Sequence, residues 1–584
     1  MVRSQKIAGA LMTVLSGAVV YAFFAFKYPY HLHFQEQYQL FESTWDYFIS
    51  VVTVPGGLAD WIGRFLTQFS YYAPAGAVVM AILFCAIQLL TWSVCSRKTL
   101  TVYALSFVPA IAALAFYCDE SALAGGAVAI ILPLAMAALT GLVHEVFTRR
   151  LLKAVLVPVV YLACGPLAIV YVLIAIIDEF RRKAVRSVPF AVCMVVIAAI
   201  CPLVAAWIFP YPLKRLVLGV HYYRYHNILP GMLWISALCT VLATAFAAFR
   251  LKRDPSKMQW ISGTSLFLLL AVAGTGLTLK AADFGKEEWM RYDFMVRMGM
   301  WNRIMMAADQ HNPDNPTTVS CLNLALAKTG RMSDHQFEYF QNGPDGLLPE
   351  FKRSHTGPVT TGEIYWHLGM VNTAQRFAFE AQEAIPDFQK SARCYKRLAE
   401  TNIVNGDLSV ARKYLASLHN AMFYRSWADE TVRLLDSGNI FEQRKELAEA
   451  RDRRLKEHDF LFSDTEMDSM LGLLKVENPD NSIALDYLMA WCLLKKDLGR
   501  FVECISLVDA PSMPKSYQEA LLLRWVLTHT DFNGLPEYIS RSHVQRIRQF
   551  ITDSKAGKDE NYMRKQYGDT YWFYYYYRNR AQHD

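Results

Sequence analysis

Apolar residues follow two regimes along this chain. Up to about residue 280 they form long unbroken runs, and beyond it they recur every three or four positions among charged residues. The first regime predicts membrane-spanning helices, since about 20 apolar residues cross roughly 30 Å of hydrocarbon. The runs fall at about 7–26, 73–95, 100–117, 122–143, 151–177, 188–209, 231–249 and 260–279. The first has Arg3 and Lys6 ahead of it and no small-x-small site behind it, so it reads as an uncleaved anchor. The second regime predicts amphipathic helices joined by polar turns. The expected fold is all-α: a polytopic transmembrane bundle over 1–280, then a soluble helical-repeat-like domain over 281–584.

The fifth run is long, and Gly165-Pro166 interrupts it near its middle. Proline removes a backbone donor and clashes with the preceding turn. Flanking charge tests whether the run crosses once or turns back. A single crossing divides the 20 Lys and Arg outside Lys280 evenly, 10 to a side, whereas a reversal divides them 15 to 5. The positive-inside rule favours the reversal, and so a broken hairpin. The N-terminus is then cytoplasmic, and the loop 27–72 and the C-terminal domain lie on the outer, periplasmic side of a bacterial inner membrane.

The loop 27–72 carries its own pattern. Leu58, Trp61, Ile62, Phe65, Leu66 and Phe69 recur at helical spacing, with Asp60, Arg64, Thr67 and Gln68 opposite. This predicts an amphipathic helix lying on the bilayer, entered through the turn Pro55-Gly56-Gly57. A second short helix is expected at 43–48.

Composition sharpens the division. Residues 1–280 hold 21 Lys and Arg against 10 Asp and Glu, and the remainder holds 38 against 42, within an overall charge of +7. The basic surplus sits beside apolar runs, so it points to membrane orientation and not to nucleic acid. Seven of the 11 cysteines lie in or beside apolar runs and count as small hydrophobes. Cys492 and Cys504 flank one turn in the second half.

Charged groups near lipid are costly and tend to face cavities. With the reversal, Glu145, Asp178, Glu179 and Asp254 lie inside, beside arginine clusters. Glu36, Glu42, Asp46, Asp60, Asp119 and Glu120 lie outside. HLHFQEQYQLF (31–41) sets His31, His33 and Glu36 among amides and rings directly after the first span. It reads as a polar collar at the interface, as a site for a general base, or as a site with room for a divalent cation. His-x-His does not fix a ligand set, so no metal ligands are assigned. In YPLKRLVLGVHYYRYHNILP (211–230), Lys214, Arg215, His221, Arg224 and His226 stand among four tyrosines. That mixture suits a lipid-phosphate headgroup or an interfacial belt.

An acidic residue in the first outer loop, helices along the membrane, acids in the next outer loop and a soluble C-terminal domain together resemble the GT-C glycosyltransferases. The resemblance implies a polyprenyl-phosphate-linked sugar as donor, Glu36 as catalytic base, and assistance from Asp119 or Glu120 in CDES (118–121). No Asp-Asp or Asp-Glu pair stands in the first loop, which departs from that family's pattern. The stretch 41–76 also resembles an uncharacterised family of bacterial membrane proteins with helical C-terminal domains.

In the second half, three places read as helix–turn–helix: 323–340, 397–418 and 488–508. They resemble tetratricopeptide units, but intervals of roughly 75 and 90 residues replace the regular 34, so an irregular helical array is expected. The unbroken aromatic run Tyr571–Tyr577 covers every face of a helix, which favours packing or docking over sugar stacking. Two functions follow as expectations. One is a lipid-linked-sugar transferase at the outer face. The other is a non-enzymatic envelope scaffold whose residues 283–584 recruit a protein partner.

Overall fold

The computed structural model describes residues 3–182, 187–225, 228–249, 256–350, 357–386, 389–455, 466–509 and 512–577. His226, Asp254, Lys183, Arg186, Arg250, Lys252 and Arg253 lie outside them. Among the described residues every named element is helical, and the isolated β-bridge pairs Ala122 with Tyr223. Contacts divide the chain into two units. One is Met1–Glu287 with Ile385–Arg393 and Ala416–Ala428; the other is Glu288–Ala384, Cys394–Leu415 and Asp429–Asp584. The first unit thus runs past residue 280 and takes in two short segments that hydropathy does not mark.

The membrane unit begins with α1 (Arg3–Ala22), which continues as a π-helical turn to Lys27. Short helices α2 (Pro29–Gln37), α3 (Trp45–Val52) and α4 (Gly57–Thr67) follow. Next come α5 (Ala73–Val94), α6 (Leu100–Leu105), α7 (Phe107–Tyr117) and α8 (Ala124–Gly141). The rest are α9 (Val146–Cys164), α10 (Ala168–Arg181), α11 (Ser187–Ile208), α12 (Leu213–Leu218), α13 (Gly231–Phe249) and α14 (Ser256–Ala281). Among the described residues, eight stretches are long and apolar enough to cross a membrane, at the places the hydropathy pattern gives.

The fifth stretch, Val146–Arg181, is not one straight helix. α9 ends at Cys164, Gly165 takes φ +69, and a 3-10 turn leads into α10. A positive φ is open to glycine because it has no Cβ. Arg150 Nε lies 2.7 Å from Glu179 Oε1, and Lys153 Nζ lies 2.8 Å from Asp178 Oδ2. In a straight helix residues 150 and 179 would stand roughly 44 Å apart at about 1.5 Å per residue. The two arms therefore run antiparallel. At the tip, Gly56 N–H donates to the Leu162 carbonyl at 2.8 Å, and the Tyr222 hydroxyl donates to the Cys164 carbonyl.

These contacts define two ends of the unit. The hairpin tip shares its end with Gly56 and Tyr222, and Leu123 N–H reaches the Tyr222 carbonyl at 3.1 Å. Tyr28 hydroxyl donates to the Cys118 carbonyl at 3.0 Å and accepts from Asp283 N–H at 3.2 Å, which adds the exits of α1, α7 and α14 to the same loop layer. At the other end, Ser96 Oγ donates to Ala247 at 3.0 Å and Thr101 pairs with Ser262 at 2.8 Å.

The amphipathic helix α4 lies in the loop layer with its apolar stripe outward. Leu58, Trp61, Ile62, Phe65 and Leu66 are half-buried, while Ala59, Asp60, Gly63, Arg64 and Thr67 are buried. Small residues explain the choice of face. A Cβ on Gly63 would stand 2.3 Å from the Gly125 nitrogen, so the α4 and α8 backbones touch there. The stripe itself is half-buried, with Trp61 and Phe65 against Phe41 and Trp61 against Phe48.

The second unit packs helix pairs around one core. Its three anticipated turns each hold a residue at positive φ: Gly330 at +67, Gly406 at +89 and Lys496 at +61. The aromatic run forms the helix Tyr571–Tyr577 and packs inward. Trp572 Nε1 donates to the Glu519 carbonyl at 2.8 Å, and the Tyr574 hydroxyl donates to Leu494 at 2.7 Å. Cys492 and Cys504 are both buried.

The glycine contact is testable. Gly63→Leu is expected to destabilise the membrane unit by about 1–3 kcal/mol through overpacking. Gly141→Ala, where nothing lies within 4 Å of the added Cβ, should be neutral. Melting of the detergent-solubilised protein reads both, and equal midpoints would refute the backbone contact.

Candidate functional site in the loop layer

The loop layer is built on α2, which turns nearly every polar group of residues 31–39 inward. Pro29 opens the helix, and the Glu287 carboxylate accepts from the Tyr30 and His31 N–H groups at 2.8 Å each. An acidic group suits those unpaired N-terminal donors. Burial pushes Glu287 up to about 7. The His31 ring stacks on Tyr28 at 4.7 Å, and burial lowers its pKa to about 3, so it stays neutral. Gln35 Nε2 donates to the Glu120 carbonyl at 2.7 Å. Gln37 accepts from Arg393 Nη1 at 2.9 Å and, on its carbonyl, from Ser391 Oγ at 2.7 Å. Leu40 N–H donates to the Lys390 carbonyl at 2.8 Å. The unit's two late segments thus clamp the collar that follows the first span.

The anticipated site residues do not converge on one point. Glu36 is buried, and its Oε2 accepts from the Tyr424 hydroxyl at 3.2 Å. Asp119 Oδ1 accepts from Ser121 N–H at 2.8 Å and Oδ2 from the Tyr223 hydroxyl at 2.7 Å. Glu120 pairs with Lys286 at 2.5 Å. Lys214 is exposed, and Arg215 lies 5.0 Å over the Tyr211 ring. Arg224 is buried 5.0 Å over the Tyr38 ring, with Nη2 3.3 Å from Gln35 Oε1. Burial lowers Arg224 to about 10, which still leaves a cation. His31 and His33 join no metal cluster: among the described residues, no three His, Cys, Asp or Glu side chains come together as one.

A different constellation surrounds a cavity of about 720 Å³. Its lining includes Asp60, Arg64, His221, Tyr47, Tyr211 and Lys390. Asp60 Oδ2 lies 2.5 Å from Arg64 Nη2 and 3.7 Å from His221 Nδ1, and Asp60 is 1% exposed. Asp60 Oδ1 has no hydrogen-bond partner within the protein. Burial works against the Arg64 charge, but Asp60 more than offsets it, so the guanidinium pKa lies above its ordinary range. Lys390 pairs with Glu42 at 2.6 Å. A carboxylate beside an imidazole can orient it as a proton acceptor, and the adjoining tyrosines and charged groups can hold hydroxyl-rich matter.

Two of these residues had a readable signal. Asp60 and Arg64 share the helix face that also carries Ala59 and Gly63, and small residues there mark a packed face. Nothing local marks Lys390, which stands 348 positions from Glu42.

The buried titratable pair at α2 gives a pH prediction. His31 is depressed from 6.5 to about 3, so as pH falls the unfolded chain takes the proton first. Stability is intact above about 6.5 and is lost progressively toward 3. Glu287 is raised from 4.5 to about 7, so its protonated form supports the fold and stability falls as pH rises through that window. His31→Phe should flatten the acid limb and Glu287→Gln the neutral limb, each on the order of 1–3 kcal/mol. Melting against pH checks both, and curves parallel to wild type would contradict the assignment.

Three comparisons bear on kinship. No curated protein and no solved structure matches the chain. A family model matches residues 3–578, nearly the whole length. The chain therefore belongs to that family, DUF6057, a family of unknown function.

Proposed function

We propose that this multi-pass membrane protein transfers a sugar from a lipid-phosphate donor to an acceptor hydroxyl, with the chemistry in the Asp60–His221 cavity. One observation carries the reading. The segment Tyr211–His221 lines that cavity at both ends, through Tyr211 and His221. Its middle, Leu213, Leu216 and Val217 of α12, lines an apolar groove of about 540 Å³ shared with α9 and α11. Lys214 and Arg215 belong to the same short helix, with Arg215 5.0 Å over the Tyr211 ring. Groove, cations and polar cavity supply the three chemistries of such a donor: hydrocarbon, phosphate and sugar.

In the proposed step His221, whose Nδ1 lies 3.7 Å from Asp60 Oδ2, takes the proton from the acceptor hydroxyl. The freed oxygen forms a bond to the anomeric carbon, and the bond from that carbon to the phosphate oxygen breaks. The lipid phosphate leaves with the electron pair, met by Lys214 and Arg215. Tyr47, Glu42, Asp46 and Lys390 supply sugar-facing groups. We place the base at His221 in preference to Glu36, Asp119 or Glu120, because His221 lines the cavity and those three carboxylates do not. The positive-inside count puts the loop layer on the outer, periplasmic face.

Membranes from cells carrying His221→Gln at normal expression should accumulate unconsumed lipid-linked sugar severalfold, by lipid extraction and mass spectrometry. Asp60→Glu should retain part of the turnover. Unchanged lipid-linked sugar pools in both variants would remove the transferase reading. A periplasm-only reporter fused after residue 285 should be active, and silence would reverse the orientation.

A further inference from the structure

The end of the membrane unit opposite the loop layer carries a surplus of positive charge. Arg149, Arg150, Lys153, Arg181 and Arg182 gather there around two carboxylates, Asp178 and Glu179. Glu179 lies 3.5 Å from Arg149, 2.7 Å from Arg150 and 4.0 Å from Lys153. Asp178 lies 2.8 Å from Lys153, 2.7 Å from Arg181 and 3.0 Å from Arg182. Each carboxylate therefore answers three cations, and five positive charges face two negative ones. Arg149 and Lys153 are almost wholly buried, and Arg149 Nε has no hydrogen-bond partner within the protein. Glu179 and Asp178 match those two buried cations, so the surplus lies on Arg150, Arg181 and Arg182, which are partly exposed and open to a counter-ion.

A cavity adjoins the cluster. It measures about 180 Å³ and lies among the ends of α5, α8, α10 and α13. Arg181, Arg182, Asp178, Ser93 and Ser96 stand on its wall beside Gly141 and Ala248, and the two guanidiniums leave a net positive charge after pairing with Asp178. Arg182 Nη2 already donates to the Gly141 carbonyl at 3.0 Å, which fixes the guanidinium at the rim. The surroundings are apolar and outward: Leu142, Val146, Phe147 and Phe180 are exposed. A phosphate fits this volume, and the flanking apolar surface continues where acyl chains would lie. We propose that this cavity binds the phosphate of an anionic phospholipid from the adjoining leaflet, with Arg181 and Arg182 as its contacts. Basic pockets between transmembrane helices take anionic headgroups by the same physics.

The site is independent of the proposed transfer reaction and stands if that reading fails. The test uses the full chain in a neutral detergent, with phosphatidylglycerol, phosphatidylcholine or inorganic phosphate added, and reads the melting midpoint and the lipids retained in native mass spectrometry. Binding to the folded state raises the midpoint. Phosphatidylglycerol is expected to raise it by several degrees and to remain bound, while phosphatidylcholine and inorganic phosphate do neither. Arg181→Gln with Arg182→Gln should remove more than half of the response. Ala138→Trp, which fills the cavity and keeps every ion pair, should do the same if the double variant fails to fold. Equal shifts with phosphatidylcholine would overturn the proposal. So would a full shift with inorganic phosphate, which assigns the cavity to a free anion, or an undiminished response in the variants.

Discussion

The reversal at Gly165 is the constraint on which the membrane unit depends. With φ at +69 and a proline next in sequence, the chain cannot continue α9 and must turn. The turn is expensive in a hydrocarbon setting unless protein takes up the freed backbone groups. Here Gly56, Tyr222 and the Leu167 N–H, which donates to Tyr222 at 3.2 Å, do so. The same reversal brings Glu179 and Asp178 back onto Arg149, Arg150 and Lys153. Removing one partner of so buried a pair costs roughly 3–5 kcal/mol, because the other charge is left stranded. Tip and base thus secure each other across the length of one hairpin.

What the reversal secures is a layer where several polar groups of the collar find distant partners, although Gln39 Oε1 and Arg224 Nε and Nη1 have none within the protein. The collar after α1 would be a liability if each amide and carboxylate faced lipid. Instead Gln35, Glu36 and Gln37 meet a turn carbonyl, a tyrosine and an arginine drawn from three distant stretches. The cavity at Asp60 differs in having room beside such atoms. There a carboxylate oxygen and the Arg64 Nε are buried without protein partners, beside enough space for a ligand. Unmatched polarity next to room is the mark of a site, whereas matched polarity is the mark of a scaffold. The proposed reading therefore sets the base at His221 and not at Glu36.

The collar, α4 and the cavity were legible to different degrees. The periodicity of α4 was visible, and its polar residues shared one face. Which face would be buried depended on Gly63 meeting Gly125, a contact between residues 62 positions apart. His221 and Arg224 stood out in sequence as cations among tyrosines, yet they serve different neighbours: one meets Asp60, the other Gln35 and Tyr38. Spacing along a strand-like segment does not say which neighbour each side chain will find.

The sequence by itself determined the all-α class, the eight apolar spans and the turns at Gly330, Gly406 and Lys496. Those features follow from local chemistry: run length against hydrocarbon thickness, helical periodicity, and the residues able to turn the chain. Tertiary structure alone decided that 385–393 and 416–428 join the membrane unit, that Lys390 and Glu42 share a cavity wall, and that Asp60 lies between Arg64 and His221. Apart from the Asp60–Arg64 pair, one helical turn apart, those are pairings across more than a hundred residues, set by shape and by the need to satisfy buried charge, and no local pattern encodes them.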